Sequence, residues 1–310
     1  MSCQEETLIS KISLLYDQIS RLESLKPSKE VDTLFKELVN TCMPPCHVDV
    51  TKLKGDLWEM RCKLIRMCGE AEGLLESHFS LILGEYESPI DHIAIFPYYS
   101  NYLKLSHLEY SLLKQHAKAP PKTVAFVGSG PLPFTSVVLA LKYLTTTTFH
   151  NFDIDPSANS MAIRLVSSHL DLSKRMMFHT TDIMNVTSSL RDYDVVFLAA
   201  LVGMSKEEKI KIMDHLAKNM EEGTILMLRS AHAARGFLYP VIEPRDLRGF
   251  EVLSVFHPTD EVINSVIVAR KCADAHQLHC FNRSNFRANG CACSEIHIFN
   301  PMVEELAIED

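Results

Sequence analysis

Two glycines and a carboxylate that follow short apolar runs have the types and spacing needed to bind a nucleoside. The run at residues 123–127 leads into Gly128, Ser129 and Gly130, and an apolar, helix-like segment follows. A second apolar run ends at Asp155. Glycines let a backbone turn tightly around a ligand, and a carboxylate after the next strand can accept hydrogen bonds from a ribose. The pattern predicts half of a nucleotide-binding α/β domain; a tight turn without a ligand is the alternative.

The residues after the glycines favour a ligand without phosphates. A dinucleotide fingerprint has a third glycine where this chain has Pro133, and Pro131 and Pro133 lack the N–H groups that would bind a pyrophosphate. S-adenosylmethionine (SAM) carries no phosphate. Its methionine end can lie over the glycine turn while Asp155 binds the ribose. Asp182, after another apolar run, can accept a hydrogen bond from the adenine amino group.

Basic side chains follow the fifth apolar run of this region. Arg229, His232 and Arg235 lie in one short segment after residues 223–228. Ligands bind at the carboxyl ends of strands in open parallel sheets. Guanidinium groups bind carboxylates well, so the segment is a candidate clamp for the carboxylates of SAM or of a product. Surface arginines and a capping histidine are the alternative interpretation.

Alternating strands and helices must position these residues. Residues 119–271 read as a Rossmann-like sheet of the SAM-dependent methyltransferase type, mostly parallel and seven-stranded. We expect the last two strands to form a hairpin. The strands are predicted near residues 123–127, 151–155, 178–182, 193–198, 223–229, 251–256 and 262–270.

Residues 1–118 have helical periodicity throughout. Apolar residues recur at intervals of three and four in four segments, and Pro44 ends the second of them. The connector at residues 118–122 contains two prolines and marks the boundary with the sheet domain. We expect an N-terminal helical bundle that packs on the sheet and covers the active site. A dimerising or purely structural cap is the alternative.

Composition narrows the class of protein. The 310 residues have a formal net charge of −8, which argues against nucleic acid as a partner. No apolar run is long enough for a membrane span, and the first residues do not resemble a signal peptide. Nine scattered cysteines are then expected to be reduced thiols. These features predict a cytoplasmic protein.

The tail at residues 272–310 has no periodic pattern, and we expect it to be disordered. Cys280, Cys291, Cys293 and His297 suggest a metal site there. Structural zinc sites usually space their cysteines by two to four residues, so a C-x-C pair is a weak pattern. We therefore predict no metal ligands in this chain.

Long stretches of the chain resemble the plant nicotianamine synthase family. The resemblance covers nearly all of residues 1–272. The stretches that carry it are residues 96–102 (FPYYSNY), 105–110 (LSHLEY), 124–133 (VAFVGSGPLP), 151–155 (NFDID) and 228–240 (LRSAHAARGFLYP).

The resemblance implies a transferase that consumes SAM and needs no other cofactor. Three SAM molecules would donate 3-amino-3-carboxypropyl groups, one ring closure would give the azetidine of nicotianamine, and three 5′-methylthioadenosines would leave. The product chelates metals such as iron. Two alternatives remain open: a SAM-dependent methyltransferase and a non-catalytic SAM-binding regulatory protein.

Catalytic roles also come from the resemblance, through the microbial members of the family. Glu76 and Tyr102 are implied to remove the proton from the attacking nitrogen, and we assign Tyr99 to substrate binding. Periodicity alone would make Glu76 a solvated helix residue and Tyr102 a packed aromatic. Residues 102–105 (YLKL) and 112–113 (LL) also fit vesicle-sorting patterns, which leaves open a peripheral vesicle association. A homodimer is a further open expectation.

Overall fold

The computed structural model describes residues 3–43 and 48–273. The predicted tail site with Cys280, Cys291, Cys293 and His297 lies outside these ranges. Within them the helices are α1 Cys3–Ile19, α2 Lys29–Cys42, α3 Asp56–Leu83, α4 Tyr99–His116, α5 Phe134–Val138, α6 Pro156–Ser167, α7 Leu172–Arg175 and α8 Lys206–Asn219. The strands are β1 Thr123–Val127, β2 Thr148–Asp153, β3 Met176–Thr180, β4 Val195–Leu198, β5 Ile225–Ser230, β6 Phe250–Phe256 and β7 Ser265–Lys271.

The strands form one seven-stranded sheet in the order β3-β2-β1-β4-β5-β7-β6. The first five strands are parallel, and β7 runs antiparallel between β5 and β6. This confirms the predicted Rossmann-like sheet of the SAM-dependent methyltransferase type and its closing hairpin. Strand β7 begins three residues later than the sequence predicted, at Ser265, because residues 262–264 belong to the preceding loop. The carboxyl ends of the parallel strands share one edge of the sheet.

Helices α1 to α3 bury one apolar face each against a common core. Ser28 begins α2 by accepting a hydrogen bond from the Val31 amide, which satisfies one of the free N–H groups at the helix start. Ile12, Leu38 and Leu64 come from the three helices and are fully buried in this core. Phe237, from the turn after β5, is buried in the same cluster, so the helical core is continuous with that end of the sheet.

Helix α3 is held across the carboxyl edge of the sheet by polar contacts. Ser80 donates a hydrogen bond to the carbonyl of Pro131, just beyond the glycine turn. Arg61 Nε donates to the carbonyl of Gly236, at 2.6 Å. These contacts lie at opposite ends of α3, about 19 residues or 28 Å apart at 1.5 Å per residue. The helix therefore presents its central residues to the edge where β1 and β2 end.

Helix α4 buries the two segments that resemble vesicle-sorting patterns. Leu105, Leu112 and Leu113 are all buried, and the Tyr102 hydroxyl binds side chains of α3. The burial of these leucines agrees with the packing of α4 against the rest of the protein, and the vesicle association stays a prediction. In the described part of the chain, no helix has the length and apolar character needed to cross a membrane.

Candidate active site

The turn after β1 requires glycine at two positions. Gly128 and Gly130 have φ values of 80° and 66°, in the left-handed region that side chains disfavour. A Cβ on Gly128 would lie 2.2 Å from Val202 Cγ2, and a Cβ on Gly130 would lie 2.8 Å from Glu76 Oε2. The turn can therefore approach a ligand closely and also lies directly against the predicted catalytic carboxylate.

A large cavity opens over this turn, and we call it the sheet cavity. Its volume of about 650 Å³ lies within the range of small-molecule sites. Eight of the sequence-predicted site residues line it: Glu76, Tyr102, Gly128, Ser129, Gly130, Asp155, Asp182 and Arg229. The structure thus brings together residues from α3, α4 and the ends of four parallel strands.

Three aspartates line this cavity near the ends of β2 and β3, and one of them was missed from the sequence. Asp153 is the last residue of β2, and its Oδ2 accepts a hydrogen bond from the Gly130 amide at 2.8 Å. Asp155 and Asp182 instead cap the starts of helical turns, accepting from the amides of Ser157 and Met184. The sequence contained the information needed to find Asp153, because it is the first acidic residue at the end of that apolar run.

Two glutamates of α3 face the cavity together with two tyrosines. Glu72 and Glu76 are one helical turn apart, so they lie on the same face of α3. The Tyr102 hydroxyl lies 3.0 Å from Glu76 Oε1 and 3.3 Å from Glu72 Oε1. Tyr239 donates a hydrogen bond to Glu72 Oε2 at 2.9 Å. The predicted pair of Glu76 and Tyr102 is thus one half of a four-residue network, whose other half the sequence reasoning missed.

The network sets the protonation of these groups. Burial raises the pKa of Glu76 well above its ordinary value, and the charge of Glu72 raises it further. Burial also raises the pKa of Glu72, against the hydrogen bonds from Tyr239 and Tyr102. Burial and then the charge of Glu76 raise the pKa of Tyr102 well above its ordinary value. Tyr102 therefore stays protonated near neutral pH and orients Glu76, while the carboxyl is the group that can take up a proton.

Arg229 lines the sheet cavity, but most of its guanidinium is engaged by protein. Its Nε and Nη2 lie 2.7 and 2.9 Å from the two carboxylate oxygens of Glu109, and Nη2 also donates to Thr135. Burial alone would lower the pKa of Arg229, but the charge and hydrogen bonds of Glu109 raise it above its ordinary value. A carboxylate clamp would have to use Nη1, because Nε and Nη2 make the hydrogen bonds to Glu109 and Thr135.

Three predicted substrate-binding residues do not line the cavity. His232 stacks on His257, with ring centroids 3.9 Å apart. The Arg235 guanidinium donates to the carbonyls of Pro258 and Asp260, and its Nε has no hydrogen-bond partner. Tyr99 packs edge-to-face on Phe134, outside the cavity wall. None of these three side chains is among the residues that line the sheet cavity.

Replacing Gly130 with alanine should damage the site through Glu76. The added Cβ would meet Oε2 of that carboxylate at 2.8 Å, so we expect kcat to fall at least about ten-fold, which is 1.4 kcal/mol of barrier. Gly223→Ala is the matched control: Gly223 also has a positive φ, of 86°, but its Cβ would meet nothing within 4 Å. Steady-state kinetics and thermal melting of both variants separate the two effects; equal losses of kcat would mean that backbone strain alone is responsible.

Comparison with known proteins identifies the family. The family model described as "Nicotianamine synthase protein" matches residues 1–276. The chain belongs to the nicotianamine synthase family. It is 60% identical to a nicotianamine synthase of Solanum lycopersicum over 98% of each chain, and 55% identical to nicotianamine synthase 1 of Arabidopsis thaliana over 100% of this chain and 98% of that one.

Solved structures agree with this nicotianamine synthase assignment at the level of the fold. A mutant of MtNAS in complex with S-adenosylmethionine matches with a TM-score of 0.72 at 18% identity, over 86% of this chain and 98% of that one. MtNAS in complex with MTA and tNA matches with the same TM-score and identity, over 88% and 100% of the two chains.

Within residues 3–43 and 48–273, no group of three or more His, Cys, Asp or Glu side chains could hold a metal ion.

Proposed function

We infer that this chain makes nicotianamine from three molecules of SAM. The observation that carries the inference is the approach of Glu76, held by Tyr102, to the glycine turn inside a single cavity. A carboxylate this close to the glycine turn supports a role as the proton acceptor, if the turn binds the methionine end of SAM as we propose. The family and its relatives along the whole chain support the same reaction.

The reaction requires a choice between the three carbons bonded to the sulfonium of SAM. In each transfer, an amine nitrogen forms a bond to the γ-carbon of the aminocarboxypropyl arm while the bond from that carbon to sulfur breaks. Methylthioadenosine leaves, and the nitrogen loses one proton. Positioning at a near-attack distance decides which carbon reacts. Glu76 takes the proton, which frees the nitrogen lone pair for the attack.

We assign the remaining roles in the sheet cavity by chemistry. The glycine turn at Gly128, Ser129 and Gly130 holds the methionine end of SAM. Asp155 binds the ribose, as the sequence suggests, and Asp153 is a second candidate because it ends β2 beside the turn. Asp182 accepts from the adenine amino group. No metal takes part in these assignments.

A pair of substitutions distinguishes the two ribose candidates. Charged hydrogen bonds contribute about 1.5–3 kcal/mol each, so the variant that loses the ribose contact should bind SAM about ten-fold more weakly or worse. Calorimetry with SAM on Asp155→Ala and Asp153→Ala makes the comparison. Unchanged affinity in a folded Asp155→Ala would remove Asp155 from the nucleoside site.

Product analysis tests the function. Purified protein supplied with SAM alone should accumulate methylthioadenosine and nicotianamine in a ratio of about three to one, because the product contains three transferred arms. Mass spectrometry detects both. S-adenosylhomocysteine as the main product would instead establish the methyltransferase alternative. SAM binding without any product would establish the regulatory one.

We also propose that the chain acts in the cytoplasm. Among the described residues, Cys42, Cys62 and Cys68 are free thiols, which a reducing compartment maintains. Fractionation of cells that express the tagged chain checks this, and recovery with washed vesicles would favour the peripheral association that the sequence left open. The homodimer stays a prediction, for which sedimentation of the purified protein is the direct measurement.

A further inference from the structure

A buried lysine binds the loop that follows β4, and the roles assigned above do not use it. Lys209 is the fourth residue of α8 and is fully buried. Its Nζ donates hydrogen bonds to the carbonyls of Ala199, Ala200 and Val202, at 2.7, 2.8 and 2.9 Å. An ammonium has three N–H groups, so these contacts use all of them. We call residues 199–204 the β4 loop.

The charge of Lys209 is costly at this position. Burial, and then the charge of Arg229, lowers the pKa of Lys209 to about 7. A charged group taken out of water lowers stability unless hydrogen bonds replace those to water. An apolar side chain could fill the same space without that cost. What the ammonium supplies, and an apolar side chain does not, is a fixed position for three carbonyls of one loop.

The β4 loop forms part of the sheet cavity and lies against the glycine turn. All six of its residues line the cavity, whereas Lys209 does not. The Ala199 amide donates a hydrogen bond to the carbonyl of Val127, the last residue of β1, at 3.1 Å. Val202 packs so closely on Gly128 that a Cβ there would lie 2.2 Å from its Cγ2. The shape of the loop therefore affects the position of the glycine turn.

The same loop also contacts α3. A Cβ on Gly69 would lie 3.2 Å from Met204 Cε and 3.3 Å from Leu201 Cδ2, so the two side chains rest on the helix at that glycine. Gly69 precedes Glu76 by seven residues, which is about two helical turns, so both lie on one face of α3. The β4 loop thus lies between the glycine turn and the face of α3 that carries the proposed base.

We propose that Lys209 is a positioning residue for the reaction: by holding three carbonyls of the β4 loop, it fixes the separation between the glycine turn and Glu76. It acts through the loop and does not touch the substrate. A misplacement of about 1 Å in a reacting geometry can lower a rate by about 10²-fold, so the chemical step should depend on this lysine. The inference rests on the proposed synthesis of nicotianamine, which is the reaction being positioned.

Lys209→Met tests the proposal, because it removes the ammonium and keeps an unbranched side chain. We expect kcat per folded molecule to fall about 10²-fold, while SAM affinity falls by no more than about ten-fold. Lys271→Met is the matched control. Lys271 is also buried, and its Nζ donates to the Cys272 carbonyl at 2.7 Å, but it does not line the sheet cavity. The control should lower Tm and leave kcat within about three-fold of wild type.

Gly203→Ala disturbs the same loop and leaves the lysine side chain in place. Gly203 has a φ of 76°, and a Cβ there would lie 2.8 Å from the backbone nitrogen of Lys209. The loop would have to move away from α8, so we expect a fall in kcat similar to that of Lys209→Met. Gly223→Ala, which adds a Cβ at a positive φ with nothing within 4 Å, shows how much backbone strain alone contributes.

Single-turnover kinetics, calorimetry with SAM and thermal melting of the four variants give the deciding comparison. A wild-type kcat in folded Lys209→Met would overturn the proposal, and so would a wild-type kcat in Gly203→Ala if Lys209→Met failed to fold. Equal losses of kcat in Lys209→Met and Lys271→Met would also overturn it, because any buried lysine would then have the same effect. A loss confined to SAM affinity would do so too. Absence of nicotianamine with the wild-type protein would contradict the proposed function instead.

Discussion

Replacing Glu76 with glutamine should lower kcat by about 10²–10⁴-fold, the range typical of losing a general base. The amide keeps the size of the side chain and can still accept a hydrogen bond from Tyr102, which lies 3.0 Å away. SAM should bind with nearly wild-type affinity, because the glycine turn and both proposed ribose-binding aspartates are untouched. Single-turnover kinetics and calorimetry with SAM measure the two quantities separately.

The pH dependence of this variant provides its internal control. In the wild type, kcat should rise with pH through the raised pKa of Glu76, because only the ionised carboxylate can take up a proton. This rise of kcat with pH should be absent in Glu76→Gln. The pKa of Glu76 is higher in the folded protein than in the unfolded chain. Ionised Glu76 therefore lowers the stability of the fold fully at pH values above the folded-state pKa, and it has no effect at pH values below the unfolded-state pKa. The variant should therefore gain stability relative to wild type at neutral pH and lose that gain in acid.

Tyr102→Phe separates orientation from proton uptake. The phenyl ring keeps its packing on Phe134, whose ring centroid lies 5.2 Å away, while the hydroxyl that links the two glutamates is lost. We expect kcat to fall in Tyr102→Phe. The rise of kcat with pH that ionisation of Glu76 causes should still be present. Full activity in Glu76→Gln would mean that the residue only lines the cavity.

Replacing Glu109 with alanine should destabilise the protein by about 3–5 kcal/mol, because it leaves a buried guanidinium without its counter-charge. Glu109 and Arg229 are 1% and 9% exposed, and they pair through two contacts of 2.7 and 2.9 Å. Arg229 also lies 5.5 Å from the centroid of the Phe126 ring. Thermal melting should show a decrease in Tm of about 5–15 °C.

A surface ion pair is the matched control for this change. Arg164 and Glu85 are 3.4 Å apart but 57% and 77% exposed, so Glu85→Ala should change stability by less than about 1 kcal/mol. Arg229→Ala then decides whether the arginine also binds substrate. A raised KM in the folded fraction would support the carboxylate clamp predicted from the sequence. An unchanged KM with a lower Tm would assign Arg229 to the ion pair alone.

The strands and the glycine turn could be predicted from the sequence because their causes are local. Parallel strands buried on both faces appear as short apolar runs, and a left-handed turn requires glycine at Gly128 and Gly130. The helices of the N-terminal region could be predicted in the same way, because apolar residues recur there at intervals of three and four. Local information was not sufficient at β2. The sequence did not show whether the strand ends at Asp153 or at Asp155, and therefore which of the two carboxylates follows it into the cavity.

The contacts within the polar network could not be predicted from local pattern, because its partners are distant in sequence, and only the pair of Glu76 and Tyr102 was expected, from the family resemblance. Glu72 and Glu76 lie on the flank of an apolar helix face, where a glutamate is normally solvated. Their partners, Tyr102 and Tyr239, come from another helix and from the turn after β5. Arg229 was correctly placed at a strand end, but the carboxylate that pairs with it lies 120 residues away.

SAM labelled separately in its methyl group and in its carboxyl group tests the central claim most directly, because that claim is the choice of the γ-carbon. The purified protein is supplied with each labelled SAM alone, and the products are separated. The carboxyl label should pass into nicotianamine, while the methyl label should leave entirely with methylthioadenosine. Methyl label in any acceptor, with the carboxyl label retained in S-adenosylhomocysteine, would contradict the account.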